Sequence, residues 1–107
     1  MPLHADLKPA HVLCESGRLS GVIDWGDVSL GDPDFDLAVF AMFFGDAMLA
    51  RLLEHLPDLD PAGVAEKTRF FTTLRRTQDL AFDLERGDRE AAASARRRLS
   101  EHLQRAA

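Results

Sequence analysis

The 107 residues predict an α+β fold in which one β-hairpin leads into about four helices. Three observations carry that prediction. Two short β-prone runs flank a Ser-Gly pair near the amino end, an apolar stretch follows a Gly-Asp-Pro triplet, and from residue 62 onward apolar side chains recur at helical intervals. An apolar fraction of 46% with 29% charged residues fits one compact soluble domain and leaves no room for two independent cores.

Val12-Leu13-Cys14 and Leu19-Ser20-Gly21-Val22-Ile23 are the strand candidates, and Ser16-Gly17 between them suits a tight reversal. With that turn, Cys14 faces Leu19, Leu13 faces Ser20 and His11 faces Val22. Strand side chains alternate faces, so His11, Leu13, Ser20, Val22 and Asp24 share one side, and His11 and Asp24 emerge together at the open end. Trp25 to Gly31 shows no clean period. Gly31-Asp32-Pro33 then opens a helix, Asp32 offering an acceptor and Pro33 a preset first position, with Asp34 and Asp36 in the first turn where the helix dipole favours negative charge. From Phe35 through Phe44 this helix is apolar almost all round, which marks it as central and buried.

A second, shorter helix spans Asp46 to Leu56, closed by Pro57, and Pro57 to Pro61 is a connector. Ala62 to Arg86 forms the third helix, with Val64, Phe71, Leu74, Ala81 and Leu84 toward the core and Gly87 as terminator. Arg89 to Arg105 forms the last behind an Asp88 cap, with Ala92, Ala95, Leu99 and Leu103 on one face. The Arg96-Arg97-Arg98 cluster on it reads as a solvated helix face rather than a polyanion site.

The formal charge of −5 gives no general attraction to nucleic acid, and its sign is divided along the chain. Residues 1–60 carry 3 basic and 11 acidic groups, whereas 61–107 carry 10 basic and 7 acidic, so the front half is where charge needs an explanation. A single cysteine, Cys14, fits a reducing cytoplasm. The longest apolar run, Leu37 to Phe44, is far below the roughly 20 residues a membrane helix needs, and the amino end lacks a signal-peptide pattern.

The chemistry-bearing string is His4-Ala5-Asp6-Leu7-Lys8-Pro9-Ala10-His11, followed by Ile23-Asp24-Trp25-Gly26-Asp27. It offers a loop carboxylate, Asp6, and two groups, His11 and Asp24, that the hairpin brings to one end. Such a set suits divalent-metal and phosphate chemistry: a hard cation needs carboxylate oxygens with positions left open for phosphates, and a separate carboxylate can accept the proton of an attacking hydroxyl.

At these residues the chain resembles the C-terminal part of the aminoglycoside/macrolide phosphotransferases, a branch of the protein-kinase-like superfamily. The resemblance rests on three ordered blocks across residues 4–38: H-x-D-x-x-x-x-N/H at His4, Asp6 and His11; I-D-W/F-G-D at Ile23 to Asp27; and G-D-P-x-x-D-L-A at Gly31-Asp32-Pro33 with Asp36-Leu37-Ala38. It implies a kinase-like C-terminal lobe over residues 1–107 and ATP- or GTP-dependent transfer, with Mg²⁺, to a small-molecule hydroxyl such as that of an aminoglycoside or macrolide.

Carried over by position, the resemblance makes Asp6 the catalytic-loop aspartate that orients or deprotonates the acceptor hydroxyl, and Asp24 the metal-holding aspartate. His11 stands where an asparagine ligand is usual. As an imidazole it is a softer ligand, and a hydrogen-bonded strand-end histidine is the plainer alternative. His4 matches an architectural position beneath the loop, Trp25 reads as packing, Lys8 matches a lysine that meets the transferring phosphate, and Asp36 matches an aspartate bracing the loop from the central helix. Asp27 and Asp32 are assigned to the acceptor pocket, where carboxylates attract a polycation, although solvation or helix capping accounts for them equally well.

Against the family pattern, only Met1-Pro2-Leu3 precedes the catalytic loop, so the resemblance implies that the ATP lobe is absent and the chain is inactive alone. It further implies an uncovered apolar flank on the central helix, available for self-association or for a separate N-terminal lobe. A non-catalytic module whose acidic face binds a cationic ligand or a metal is the rival reading. A protein-kinase fragment is disfavoured because Gly31-Asp32-Pro33 follows Asp24 too closely for an activation segment and no A-P-E occurs.

Overall fold

The computed structural model describes residues 1–106, with side chains through residue 105. Strands β1 (Pro2–Leu3), β2 (Val12–Glu15), β3 (Arg18–Val22) and β4 (Ser29–Leu30) precede helices α1 (Asp34–Phe44), α2 (Asp46–Leu53), α3 (Pro61–Glu85) and α4 (Arg89–Ala106). β2 and β3 form the expected antiparallel hairpin. Ser16 and Gly17 both take positive φ, 52° and 75°, the backbone of a turn whose twist matches the strands it joins.

The expected register holds only at the tip. Glu15 faces Arg18 and Cys14 faces Leu19, but Leu13 then faces Gly21 and Val12 faces Val22, leaving Ser20 as an extra, bulged residue. Past the bulge every side chain moves to the face opposite the one alternation predicts. His11 belongs to a 3₁₀ turn, Pro9–His11, and its carbonyl accepts from Ile23 N at 2.9 Å, so it does not face Val22. A pairing absent from the sequence reading joins β1 to β4, Pro2 opposite Leu30 and Leu3 opposite Ser29. Two-residue strands are too short to show a period.

α1 starts as its sequence dictates. Asp32 Oδ1 accepts from Asp34 N at 3.0 Å, and Pro33 already has helical angles. Ala38 and Val39 are fully buried, and Leu37 and Ala41 pack with Leu49 of α2 and Val64 of α3 into the main core. The expected bare flank of α1 reduces to Phe43. The more exposed apolar side chains lie elsewhere, at Leu30, Phe70 and Phe82.

α2 ends at Leu53 rather than Leu56, because His55 N and Leu56 N bond back three residues as the chain approaches Pro57. α3 is capped by Asp60, whose carboxylate accepts from Ala62 N and Gly63 N, and it ends at Gly87, whose φ of 74° a side chain would resist. The expected inner face of α3 holds at Val64, but Leu74, Ala81 and Leu84 are exposed, and Thr68, Thr72 and Asp83 are buried instead. α4 packs against α3 through Ala92 and Ala95 behind the expected Asp88 cap, with Leu103 half exposed.

Candidate active site

The loop between β1 and the 3₁₀ turn is held from three sides. Asp36, in the first turn of α1, accepts from His4 N at 2.9 Å and from Ala5 N at 2.8 Å. His4 is almost fully buried, with Nδ1 accepting from Asp6 N at 3.1 Å, so Nε2 carries the proton and donates to the Ile23 carbonyl at 2.8 Å. Both ring nitrogens are committed. The ring packs on Trp25 with centroids 4.6 Å apart, and Trp25 Nε1 donates to Val22 O.

His11 is polarised the opposite way. Nδ1 lies 2.8 Å from the Asp6 carbonyl and therefore donates, and Nε2 points at Asp24 Oδ2, 3.1 Å away, with a proton when the ring is cationic and a lone pair when it is neutral. An imidazole lone pair and a carboxylate that close repel unless a proton or a metal ion lies between them. The separation matches neighbouring ligands on one cation, since bonds of about 2.1 Å at right angles put donor atoms roughly 3.0 Å apart. The meeting does not come from a shared strand face, as alternation implies. It is made by Asp24 itself, whose φ of 62° turns the chain at the end of the hairpin. Ala5, between His4 and Asp6, has φ 69°, an unfavourable angle for alanine, so the loop and the hairpin end both carry backbone strain.

Asp6 stands beside this pair, with Oδ2 3.8 Å from His11 Nδ1 and 3.5 Å from Lys8 Nζ. Its other oxygen accepts from Arg75 Nη2 at 2.8 Å. Arg75 also donates to the Ala5 carbonyl at 3.2 Å and to Asp79 at 3.0 Å. Burial alone would raise the Asp6 carboxyl. The Arg75 hydrogen bond, followed by the charges of Lys8, Arg75 and His11, overcomes it and holds the group below the ordinary carboxylate value.

Sequence reading missed Arg75. It lies 69 residues from Asp6, and its only local signal is the i, i+4 pairing with Asp79 on α3.

A cleft of about 390 Å³ opens beside Asp6, bounded by Ala5, Arg75, Asp79 and Phe82, and Asp27 lines it. Asp32 is placed differently: it caps α1 and pairs with Lys67 at 3.0 Å, while Asp34 meets the same lysine at 3.4 Å. The α1 backbone bond and then Lys67 lower the Asp32 carboxyl. Asp27 and Asp79 are thus the acidic groups of the cleft, and Asp32 ties α1 to α3. Among the described residues, no cluster of three or more His, Cys, Asp or Glu side chains is arranged to hold a metal ion unaided. His11 and Asp24 could supply two donors to such a centre, and the remaining positions would fall to phosphate oxygens and water.

Residues 1–65 match the phosphotransferase enzyme family model. The chain belongs to that family. It is 34% identical over 95 residues, 85% of its length and 33% of the relative's, to viomycin phosphotransferase of Streptomyces vinaceus. It is 39% identical over 54 residues, half of its length and 18% of the relative's, to the uncharacterized protein YcbJ of Bacillus subtilis (strain 168). Among solved structures, the GDP and kanamycin complex of APH(2")-IIIa superposes with a TM-score of 0.89 at 24% identity, over 97% of this chain and 36% of that one. The apo form of a thermostable APH(4)-Ia mutant superposes at 0.76 and 26%, over 99% and 37%. The family member therefore has the kinase-like α+β fold expected of it, and it spans about a third of the length of viomycin phosphotransferase and of these solved structures, and less of YcbJ. No helix among the described residues is long and apolar enough to cross a membrane.

Proposed function

We propose that this chain carries the acceptor-activating and metal-holding groups of a nucleotide-dependent O-phosphotransferase acting on a small, cationic, hydroxyl-bearing molecule of the aminoglycoside or macrolide type. The observation that carries the reading is the convergence on one loop of Asp6, His11 Nε2 and Asp24 Oδ2, the last two 3.1 Å apart. His11 and Asp24 would hold Mg²⁺, which when bound neutralises charge on the nucleotide phosphates. The ADP complex of APH(4)-Ia with hygromycin B and the GDP complexes of APH(2")-IIIa support a nucleotide of either base.

Asp6 orients the acceptor hydroxyl. Held ionised by Arg75, it is a weak base, which suits a transfer whose transition state is loose and needs the hydroxyl proton removed late. Lys8, 3.5 Å from Asp6, would meet the moving phosphoryl group. His4 and Asp36 act through the backbone of residues 4–6, fixing the direction in which Asp6 points. Asp27, with Asp79, attracts the acceptor's ammonium groups into the cleft beside Asp6.

Mn²⁺ serves as a paramagnetic probe of the metal pair. Selective broadening of the His11 ring resonances, lost in Asp24→Asn, supports the assignment, and broadening unchanged in that variant refutes it.

One observation favours the rival, a non-catalytic binding module: Arg75 already occupies Asp6. Calorimetry with kanamycin separates the two, because affinity indifferent to both Asp6→Ala and Asp24→Ala favours binding without transfer.

A further inference from the structure

A second cavity of about 420 Å³ lies between the carboxyl end of α1, α3 and α4, and it shares no residue with the cleft beside Asp6. Arg69, Arg76 and Arg105 line it together with Thr68 and His102, and Asp46 is its one carboxylate. Two of its polar atoms are stranded. Thr68 Oγ1 and Arg76 Nε are buried without hydrogen-bond partners, and Thr68 as a residue is only 8% exposed.

Among the described residues no carboxylate pairs with Arg76. Its neighbour Asp79 is spent on Arg75 Nε at 3.0 Å. Burial, then the like charge of Arg98, then those of Arg105 and Arg75, push the Arg76 guanidinium below its ordinary value, with Asp79 opposing. Crowded guanidinium groups with one carboxylate among them are costly in an empty pocket and favourable in one that holds an anion. His102 is bonded through Nε2 to Thr73 Oγ1 at 2.9 Å, so the wall it forms is anchored between α3 and α4.

We propose that this pocket is a binding site for a small phosphate-bearing anion gripped by the guanidinium groups of Arg76 and Arg105. The charge count selects the class. Three guanidinium groups against one carboxylate leave about two positive charges, the complement of a phosphate dianion and more than a monocarboxylate neutralises. A tetrahedral group with several acceptor oxygens can also meet two guanidinium groups at once, whereas a planar carboxylate meets one fork. The cavity has room for a phosphorylated metabolite, not only the free ion.

The test is isothermal titration calorimetry of the chain with inorganic phosphate and pyrophosphate, free of divalent metal and at fixed ionic strength. Saturable binding at one site is expected. Arg76→Gln and Arg105→Gln should each weaken it at least tenfold, about 1.4 kcal/mol, and Arg97→Gln, an equal charge loss on an exposed position of α4 outside the pocket, should leave it unchanged. Asp24→Asn should also leave it unchanged, which separates this site from the proposed metal pair. Circular dichroism identifies a variant that has lost its fold, and the other arginine variant then decides. The absence of saturable heat up to about 10 mM, binding equal in Arg97→Gln and both pocket variants, or succinate binding as tightly as phosphate would overturn the proposal.

Discussion

Replacing Asp36 by alanine tests how the loop from His4 to His11 is held. Its carboxylate is the acceptor for two backbone donors, His4 N at 2.9 Å and Ala5 N at 2.8 Å, and His4 is only 4% exposed. A buried N–H left without a partner costs about 1–3 kcal/mol, so the well-buried His4 amide contributes about 2 and the more accessible Ala5 amide about 1. Loss of a negative charge from the first turn of α1 adds about 0.3–1 kcal/mol. Asp36→Ala should therefore lose about 3.5 kcal/mol of roughly 5–15 in urea unfolding followed by circular dichroism. Asp36→Asn keeps one acceptor oxygen and should lose about half as much. In both variants the His4 and Ala5 amides should exchange with solvent faster than those of α3. An Asp36→Ala midpoint within about 1 kcal/mol of the parent would refute the view that this side chain fixes the loop.

The Asp6 carboxyl is lower in the folded chain than its ordinary value of 3.8, so its stabilising contribution is complete above that pH and is lost as pH falls through the folded value. Guanidinium midpoints between pH 6 and 2 should fall less steeply in Asp6→Asn than in the parent, and parallel curves would contradict the pairing with Arg75. Asp60→Ala removes the acceptor of Ala62 N and Gly63 N and should lower stability by about 1 kcal/mol, read as a shift in thermal midpoint. Gly17→Ala forces a side chain to a φ of 75° and should cost about 1–2 kcal/mol in the same measurement, although a Cβ there meets no neighbour within 4 Å.

Much of the site can be read from the order of residues. His4, Asp6, His11, Asp24 and Asp36 are near enough along the chain that one loop, one hairpin and one helix start bring them together, and local rules predict each of those. The route was less legible than the destination. Alternation from a Ser16-Gly17 turn puts His11 and Asp24 on one strand face, whereas the Ser20 bulge breaks that alternation and the left-handed Asp24 backbone restores the meeting. A bulge leaves no mark in a run of five strand residues, because it depends on how the partner strand is met.

On α3 the apolar period predicted an inward face at Leu74, Ala81 and Leu84, while the helix turns Thr68, Thr72 and Arg76 inward toward α1 and α4. The choice there belongs to packing against two helices at once, and a single helix's pattern does not contain it.

The sequence by itself determined the α+β composition, the helix start at Asp32-Pro33, and the identities of the groups around the His4–His11 loop, since each follows from chemistry acting within a few residues. Only the tertiary structure decided that Arg75 grips Asp6 and that Arg76 and Thr68 face a shared cavity. Those contacts join residues many turns apart, whose separation closes only when α3 has packed on α1 and α4, so no local propensity encodes them.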